Sequence, residues 1–149
     1  MTVNSILIVC EGNICRSPIA EVLAKQLFPR LHVSSAGLNA LIGNKADSLA
    51  RSVVTERGLC LDAHVARQLS WSMVKAADMI LVMSTEQKKR VEDTYRFATG
   101  RTYRVGHFQQ FDVDDPYQKS KAEFEEAFVS IEAGLQRWSH VLEELNVQI

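Results

Sequence analysis

The segment 6-ILIVCEGNICRSPIA-20 predicts how the chain begins to fold. Its first four residues form an uninterrupted apolar run, which is typical of a strand buried on both faces of a sheet. Ser17-Pro18 then predicts the start of a helix, because serine is a preferred N-cap and proline suits the first helical position. The intervening residues 10–16 therefore form a turn that leads from a buried strand into a helix N-terminus.

The rest of the chain continues to alternate between strands and helices. Apolar runs predict further strands at 31–35, 79–83 and 103–108, and helical patterns occupy 46–57, 72–77 and 85–97. A long final helix is predicted by apolar residues at spacings of four and three, namely Phe124, Phe128, Ile131, Leu135, Trp138, Leu142 and Leu145. This alternation indicates a single α/β domain over 1–149, with a four-stranded parallel sheet and helices on both faces. Ligands of such sheets bind beyond the carboxyl ends of the strands, where the turn at 10–16 lies.

Composition and charge exclude several classes of protein. The chain has 149 residues, 46% of them hydrophobic, and a formal net charge of −1, so no overall basic field recruits nucleic acid. Its basic run Lys88-Lys89-Arg90 is expected to be a solvated helix face. Three cysteines, an odd number, argue against a disulfide framework, and the N-terminal apolar run is too short for a signal peptide or membrane span. We expect a cytoplasmic protein without direct membrane insertion, metal or cofactor.

The turn after the first strand has the features of an oxyanion cradle with a thiol at its base. Backbone N–H groups that wrap into a helix N-terminus form an anion-binding nest, and the helix dipole adds positive charge there. Arg16 supplies a planar fork for two oxygens of an oxyanion, while Gly12 permits close approach and Asn13 tolerates a left-handed conformation. The same surroundings favour the thiolate of Cys10, to which the Ser17 hydroxyl can donate. A thiolate beneath a phosphate cradle predicts in-line attack on phosphorus and a phosphocysteine intermediate.

An ester leaving group requires a proton donor, and the acidic segment 112-DVDDPYQ-118 offers one. Asp115 precedes Pro116, which biases the aspartate towards extended backbone and stiffens the loop. Tyr117 is placed to lie beside an aromatic substrate ring. The residues alone leave an ordinary acidic turn as an equally good interpretation.

VCEGNICRSP at 9–18, followed far downstream by Asp115-Pro116-Tyr117, resembles the low-molecular-weight protein tyrosine phosphatase family. The resemblance covers essentially the whole chain and implies a phosphoric monoester hydrolase on a four-stranded parallel sheet. It implies that Cys10 is the nucleophile, that Arg16 clamps the phosphate, and that Asp115 is the general acid and later the base that activates water. It also implies that the phosphoryl group is surrounded by Glu11, Gly12, Asn13, Ile14, Cys15, Arg16 and Ser17.

The resemblance assigns supporting roles as well. Ser35 in SSAG and His64 in HVARQL match positions that hydrogen-bond around the loop asparagine, Asn13. Cys15 matches a second loop cysteine, which in the family forms a reversible disulfide with the nucleophile under oxidation. Cys60 matches no functional position, and we expect it to pack in the interior.

At the pocket rim the chain departs from the family pattern. Glu11 replaces an apolar residue common in eukaryotic members, and its carboxylate is expected to repel acidic peptides. Leu41 stands where an aromatic wall is expected and Gln118 replaces a second aromatic residue, which leaves Tyr117 as the main aromatic wall. GLNALIGNKAD and DPYQKS resemble the bacterial branch linked to capsule and exopolysaccharide export. That branch implies the phosphotyrosine-rich tail of a membrane tyrosine autokinase as substrate, and phosphate or other oxyanions as inhibitors.

Two other functions stay open on the sequence. Thioredoxin-coupled arsenate reductases share this scaffold but require two further cysteines near the end of the third strand, and 78–90 contains none. Only Cys60 is left for such a relay, provided that the fold brings it near Cys10. The other alternative is a non-catalytic phosphotyrosine reader or redox sensor that switches through Cys10 and Cys15, although binding alone gives no reason for the proton donor Asp115.

Overall fold

The centre of the fold is a four-stranded parallel sheet, as seen in a computed structural model that describes residues 2–145 and 147–149. Its strands are β1 (Ser5–Cys10), β2 (His32–Gly37), β3 (Met79–Val82) and β4 (Thr102–Arg104). Their spatial order is β2-β1-β3-β4, so β1 lies inside the sheet with a parallel neighbour on each side. The apolar side chains of β1 alternate between two cores: Ile6 and Ile8 join one cluster, and Leu7 and Val9 join the other.

Helices cover both faces of this sheet. They are α1 (Arg16–Leu27), α2 (Ser48–Thr55), α3 (Trp71–Ala76), α4 (Thr85–Thr94) and α5 (Lys121–Glu144), with a 3-10 turn at Arg96–Ala98. The larger core cluster packs under α1, α2 and α5, and the smaller one packs under α3 and α4. None of these helices is long and apolar enough to cross a membrane.

The predicted α/β fold, with its four parallel strands and five helices, is confirmed, but several boundaries differ. The strand predicted at 31–35 extends to Gly37, because pairing with β1 continues to the end of that strand. Side-chain caps set the starts of three helices: Asp47 accepts from Leu49 N before α2, Ser70 accepts from Met73 N before α3, and Ser84 accepts from Gln87 N before α4. The helix predicted over 85–97 ends at Thr94 and continues as the 3-10 turn.

The end of the fourth strand is where the prediction is most in error. The strand predicted at 103–108 ends at Arg104, and the chain turns there, since His107 N bonds back to Arg104 O. The rings of His107 and Phe108 pack against Trp138 of α5, with centroids 5.9 and 4.7 Å away. Aromatic packing on the last helix thus replaces strand pairing. Leu145, the last member of the predicted stripe, lies beyond α5 and is exposed.

Gly134 allows α5 to approach the segment after β4. A Cβ at this position would lie 2.5 Å from Val105 Cγ1 and 2.6 Å from Val105 O, which is too close for either atom. We therefore expect Gly134→Ala to lower the free energy of unfolding by about 1–3 kcal/mol, as overpacking does, although alanine is the better helix former. Urea unfolding followed by circular dichroism measures the change.

The matched control for this variant is Ala133→Gly on the exposed side of the same helix. It should cost about 1 kcal/mol through helix propensity alone. A gain of stability in Gly134→Ala would mean that propensity outweighs the close contact, contrary to the packing described above.

Candidate active site

Cys10 is the last residue of β1 and is almost fully buried. The chain then turns through 11–15 and enters α1 at Arg16. Ser17, in the first turn of that helix, places its Oγ 2.9 Å from Cys10 Sγ. The prediction that Ser17 is the N-cap is therefore wrong: Cys15 occupies the cap position without a side-chain cap bond, because the Ser17 hydroxyl is directed towards the thiol.

The loop turns its carbonyl groups outwards and leaves its N–H groups unpaired. The six carbonyls from Cys10 to Cys15 accept hydrogen bonds, in chain order, from Leu38 N, Asn39 N, Leu41 N, His64 Nε2, Asp47 N and Ile19 N. Within the described residues, by contrast, no acceptor pairs with the N–H groups of 12–15. Buried N–H groups rarely stay unpaired, because each costs free energy comparable to a lost hydrogen bond. Successive free N–H groups at a helix N-terminus form a nest that binds an anion.

Asn13 fixes the shape of this loop. It is fully buried and has a φ of 58°, in the left-handed region. Its Nδ2 donates to Ser17 Oγ at 2.8 Å and to Ser35 Oγ at 3.0 Å, and its Oδ1 accepts from Arg67 N at 3.0 Å. His64 Nε2 lies 2.7 Å from Asn13 O and donates to it, since a carbonyl oxygen can only accept. Ser35 and His64, which the resemblance placed around Asn13, both contact it.

Asn13→Ala is expected to lower the free energy of unfolding by about 2–4 kcal/mol. Alanine resists the left-handed conformation, and the truncation leaves buried partners of the amide unpaired. Asn13→Gly loses the same bonds but tolerates the conformation, so it should be less destabilising by roughly 1 kcal/mol. Urea unfolding of the two variants separates these contributions. Equal destabilisation by the two would mean that the loop conformation contributes nothing.

Arg16 has a buried side chain, and two of its three guanidinium nitrogens contact protein oxygens. Its Nη1 donates to Val113 O at 2.8 Å, and its Nη2 lies 3.5 Å from Asp115 Oδ2. Its Nε is buried, and among the described residues no acceptor pairs with it. A buried guanidinium with a free donor beside the unpaired loop N–H groups is suited to gripping the oxygens of a tetrahedral anion.

A pocket opens over the thiol of Cys10. It is lined by loop residues 10–12 and 14–16, and by Asn39, Leu41, Asp115 and Tyr117. Asp115 is half exposed at the side of the pocket, and its Oδ1 accepts from Tyr117 N at 3.1 Å. Leu41 and Tyr117 are 38% and 39% exposed and provide an aliphatic and an aromatic wall. Thus the predicted donor Asp115 and the predicted walls meet at the pocket that holds the thiol.

Glu11 lies at the pocket mouth, but its carboxylate is paired. Arg90 of α4 donates from Nη1 to Glu11 Oε2 at 2.6 Å, and its Nη2 lies 3.4 Å from Oε1. Glu86 Oε1 is 3.4 Å from the same Nη1. Arg90 is partly exposed, as expected for a solvated helix face, but its side chain also reaches the loop next to Cys10.

The other two cysteines occupy opposite environments. Cys15 is buried, and burial followed by the nearby Asp47 raises its pKa far above the ordinary value, so it stays a neutral thiol. Cys60 is exposed, so the prediction that it packs is wrong; its neighbours Leu59 and Leu61 pack against the core instead. Both are free thiols, as is Cys10.

Sequence reasoning missed three residues that shape the site. Asn39 lines the pocket, and its position just beyond the end of β2 was a usable signal, because ligands bind at that edge of the sheet. Arg67 donates its backbone N–H to Asn13 Oδ1, and its Nε donates to Ser35 O at 2.8 Å; both contacts depend on the fold and gave no signal in the sequence. Arg90 is 79 residues from Glu11 in the chain, and only the fold brings the two together.

Comparison with known proteins agrees with this geometry. The sequence profile of the family described as low molecular weight phosphotyrosine protein phosphatase matches residues 5–148. The chain belongs to this family. It is 43% identical over 139 residues to the low molecular weight protein-tyrosine-phosphatase Ptp of Acinetobacter johnsonii, an alignment that covers 93% of this chain and 98% of that protein. The family predicted from VCEGNICRSP is confirmed, and with it the class of enzyme, a protein-tyrosine-phosphatase.

Solved structures of family members match the whole fold. The tyrosine phosphatase AmsI of Erwinia amylovora superposes with a TM-score of 0.89 at 42% identity, over 93% of each chain. Wzb of Vibrio vulnificus, crystallised in complex with benzylphosphonate, superposes with a TM-score of 0.91 at 36% identity, over 94% of this chain and 99% of that one. Across the part of the chain that the structure describes, no group of His, Cys, Asp and Glu side chains is arranged to hold a metal ion.

Proposed function

We propose that this phosphatase hydrolyses phosphotyrosine in proteins, with Cys10 as nucleophile, Arg16 as phosphate clamp, and Asp115 as general acid and base. One observation carries the proposal: donors that pair with no acceptor among the described residues are gathered beside the Cys10 thiol. These donors are the N–H groups of 12–15 and Arg16 Nε. They are the complement of the non-bridging oxygens of a phosphoryl group, and inorganic phosphate and similar oxyanions are expected to compete for them as inhibitors.

The first step is the transfer of the phosphoryl group to sulfur. The Cys10 thiolate attacks phosphorus, the S–P bond forms as the bond to the tyrosine oxygen breaks, and Asp115 gives its proton to the departing phenolate. The Ser17 hydroxyl, 2.9 Å from the sulfur, supports the thiolate before attack. The loop N–H groups and Arg16 stabilise the charge on the three equatorial oxygens.

The second step returns the enzyme to its starting state. Asp115, now a carboxylate, takes a proton from a water molecule while the water oxygen attacks phosphorus. The S–P bond breaks, inorganic phosphate leaves, and the Cys10 thiolate is restored with Asp115 protonated again. One carboxyl group thus serves both steps, which requires that it reach both the leaving oxygen and the attacking water from the pocket side it lines.

The walls of the pocket favour an aryl ester over an alkyl ester. Leu41 and Tyr117 stand on the pocket and offer apolar surface to a phenyl ring, and Ile14 adds to it from within the loop. A phosphoserine side chain is too short to use these walls while its phosphate occupies the cradle. We therefore assign phosphotyrosine as the substrate class.

The resemblance to capsule- and exopolysaccharide-associated phosphatases supports one physiological partner. We infer that the substrate is the phosphotyrosine-rich tail of a membrane tyrosine autokinase, met by this enzyme on the cytoplasmic side. The mouth of the pocket is open enough for a peptide, since Leu41, Tyr117 and the side chain of Asp115 are all more than a third exposed. Phosphotyrosine profiling of cells that lack the protein tests this partner, and an unchanged kinase tail would rule it out.

The rival activities are less well supported by the geometry. An arsenate reductase relay needs two further thiols besides Cys10, but Cys15 is the one other cysteine that lines the pocket, and Cys60 is exposed and lies outside it. A reader or redox sensor needs no carboxyl group on the pocket, whereas Asp115 lines it.

The test of the proposed activity is hydrolysis of a phosphotyrosine peptide and of p-nitrophenyl phosphate, with a phosphoserine peptide of the same sequence as control. Rapid acid quenching followed by mass spectrometry should find the phosphoryl group on Cys10. An enzyme that releases no phosphate from either aryl ester would contradict the proposal. Equal rates on the phosphotyrosine and phosphoserine peptides would contradict the role of the pocket walls.

A further inference from the structure

The ion pair between Glu11 and Arg90 joins the phosphate loop to α4. Glu11 directly follows Cys10 and lines the pocket, and Arg90 holds its carboxylate through both terminal nitrogens at 2.6 and 3.4 Å. Both side chains are about 40% exposed, so the pair lies at the rim rather than in the core. An arginine stays protonated at any pH at which the enzyme works, and the hydrogen bond with Glu11 raises the pKa of the Arg90 guanidinium further.

The electrostatics of this rim are unfavourable to a phosphate dianion. A groove next to the pocket is lined by Glu11, Arg16, Glu86, Asp112, Asp114 and Asp115 among others, so carboxylates outnumber cations there. Arg104 Nη1 lies 2.9 Å from Asp112 Oδ1 and neutralises that carboxylate. In the proposed function, Arg16 binds the phosphate and is therefore not available to pair with Glu11. Arg90 is thus the cation left to balance the carboxylate closest to the thiol in the chain.

We propose that Arg90 is a positioning residue of the active site, which neutralises Glu11 so that a phosphate dianion can enter the loop. The inference rests on the proposed function only where it is tested by KM and kcat, because the affinity for inorganic phosphate measures the effect of Arg90 without any hydrolysis. Glu11 unpaired would repel any phosphoester, whatever the sequence of the peptide, and not only acidic peptides. The ion pair therefore makes a P-loop carboxylate compatible with an anionic substrate.

Arg90→Met tests this inference through affinity. The substitution leaves the carboxylates of Glu11 and Glu86 without a paired cation. At low salt it should weaken the binding of inorganic phosphate, and raise KM for p-nitrophenyl phosphate, by about five- to tenfold. We expect kcat to change by less than about twofold. The change should shrink as ionic strength rises, because exposed charges are screened. Phosphate affinity is measured by calorimetric titration, and KM and kcat by steady-state kinetics.

The decisive variant is the double substitution Arg90→Met with Glu11→Gln, which removes both charges of the pair. It should restore phosphate affinity and KM to within about twofold of the starting enzyme, and Glu11→Gln alone should bind phosphate at least as tightly as that enzyme. Lys89→Met is the matched control: Lys89 lies on the same helix and pairs with Asp93 on its exposed face, so its loss should change nothing.

Three results overturn the inference. They are an Arg90→Met variant with unchanged phosphate affinity, a loss that Glu11→Gln does not rescue, and an equal loss in Lys89→Met. If the starting enzyme binds phosphate yet hydrolyses no aryl ester, the proposed function fails while the phosphate titrations still decide the role of Arg90.

Discussion

Cys10→Ser is expected to abolish hydrolysis of phosphotyrosine, with kcat reduced by at least about 10⁴-fold, while phosphate still binds. A serine hydroxyl is a far weaker nucleophile than a thiolate at neutral pH, and neither the helix N-terminus nor Ser17 can ionise it. The donors of the cradle belong to the backbone of 12–15 and to Arg16, so the substitution leaves them in place. Steady-state kinetics on a phosphotyrosine peptide and calorimetric titration with inorganic phosphate measure the two halves of this prediction.

Cys60→Ser is the control for thiol chemistry in general, because Cys60 is exposed and lies outside the pocket. It should keep full activity. Circular dichroism should show that both variants keep the fold of the starting enzyme. Activity of Cys10→Ser above about one per cent of the starting enzyme would mean that another group attacks phosphorus. Loss of phosphate binding in that variant would mean that the thiol holds the cradle in shape, which the hydrogen bonds of Asn13 are expected to do instead.

Short-range patterns explain why so much of the fold was predictable. The apolar run of β1 and the stripe on α5 each act within a few residues, and these features are where sequence and structure agree. The end of β4 was not predictable in the same way. Where this strand ends depends on Trp138, which lies about 30 residues further along the chain and against which the rings of 107–108 pack.

In the candidate site, too, contacts within a short segment were predictable and contacts between distant segments were not. Cys10, Arg16 and Asn13 lie in one turn whose spacing is visible in the sequence, and the structure brings them together. Of the two roles predicted for Ser17, contact with the thiol is found and the N-cap is not, because the hydroxyl that would cap the helix is directed towards Cys10 Sγ. The ion-pair partner of Glu11 could not be predicted from the sequence. Nothing local to Arg90 distinguishes it from Lys88 and Lys89, and its contact exists only once α4 is packed beside the loop.

Asp115→Asn is expected to lower kcat/KM, which reports the first step, by about 10²–10³-fold for a phosphotyrosine peptide and much less for p-nitrophenyl phosphate. An amide cannot give a proton to the departing oxygen, so the loss depends on how badly the leaving group needs one. The tyrosine phenol, with a pKa of about 10, leaves poorly as an anion, whereas p-nitrophenolate is stabilised by its nitro group. Comparing kcat/KM for a series of aryl phosphates should therefore give a steeper dependence on leaving-group acidity in the variant than in the starting enzyme.

The same variant tests the second role of Asp115. With p-nitrophenyl phosphate the first step survives, but no carboxylate remains to activate water, so the phosphocysteine should accumulate. Rapid quenching should then show a burst of p-nitrophenol close to one equivalent, followed by slow turnover. Asp114→Asn, which removes the neighbouring exposed carboxylate, is the matched control and should change either rate by less than about twofold. If Asp115→Asn slows both esters equally and shows no burst, the carboxyl group acts on the shape or charge of the pocket rather than on the proton, since only proton transfer makes the loss follow the leaving group.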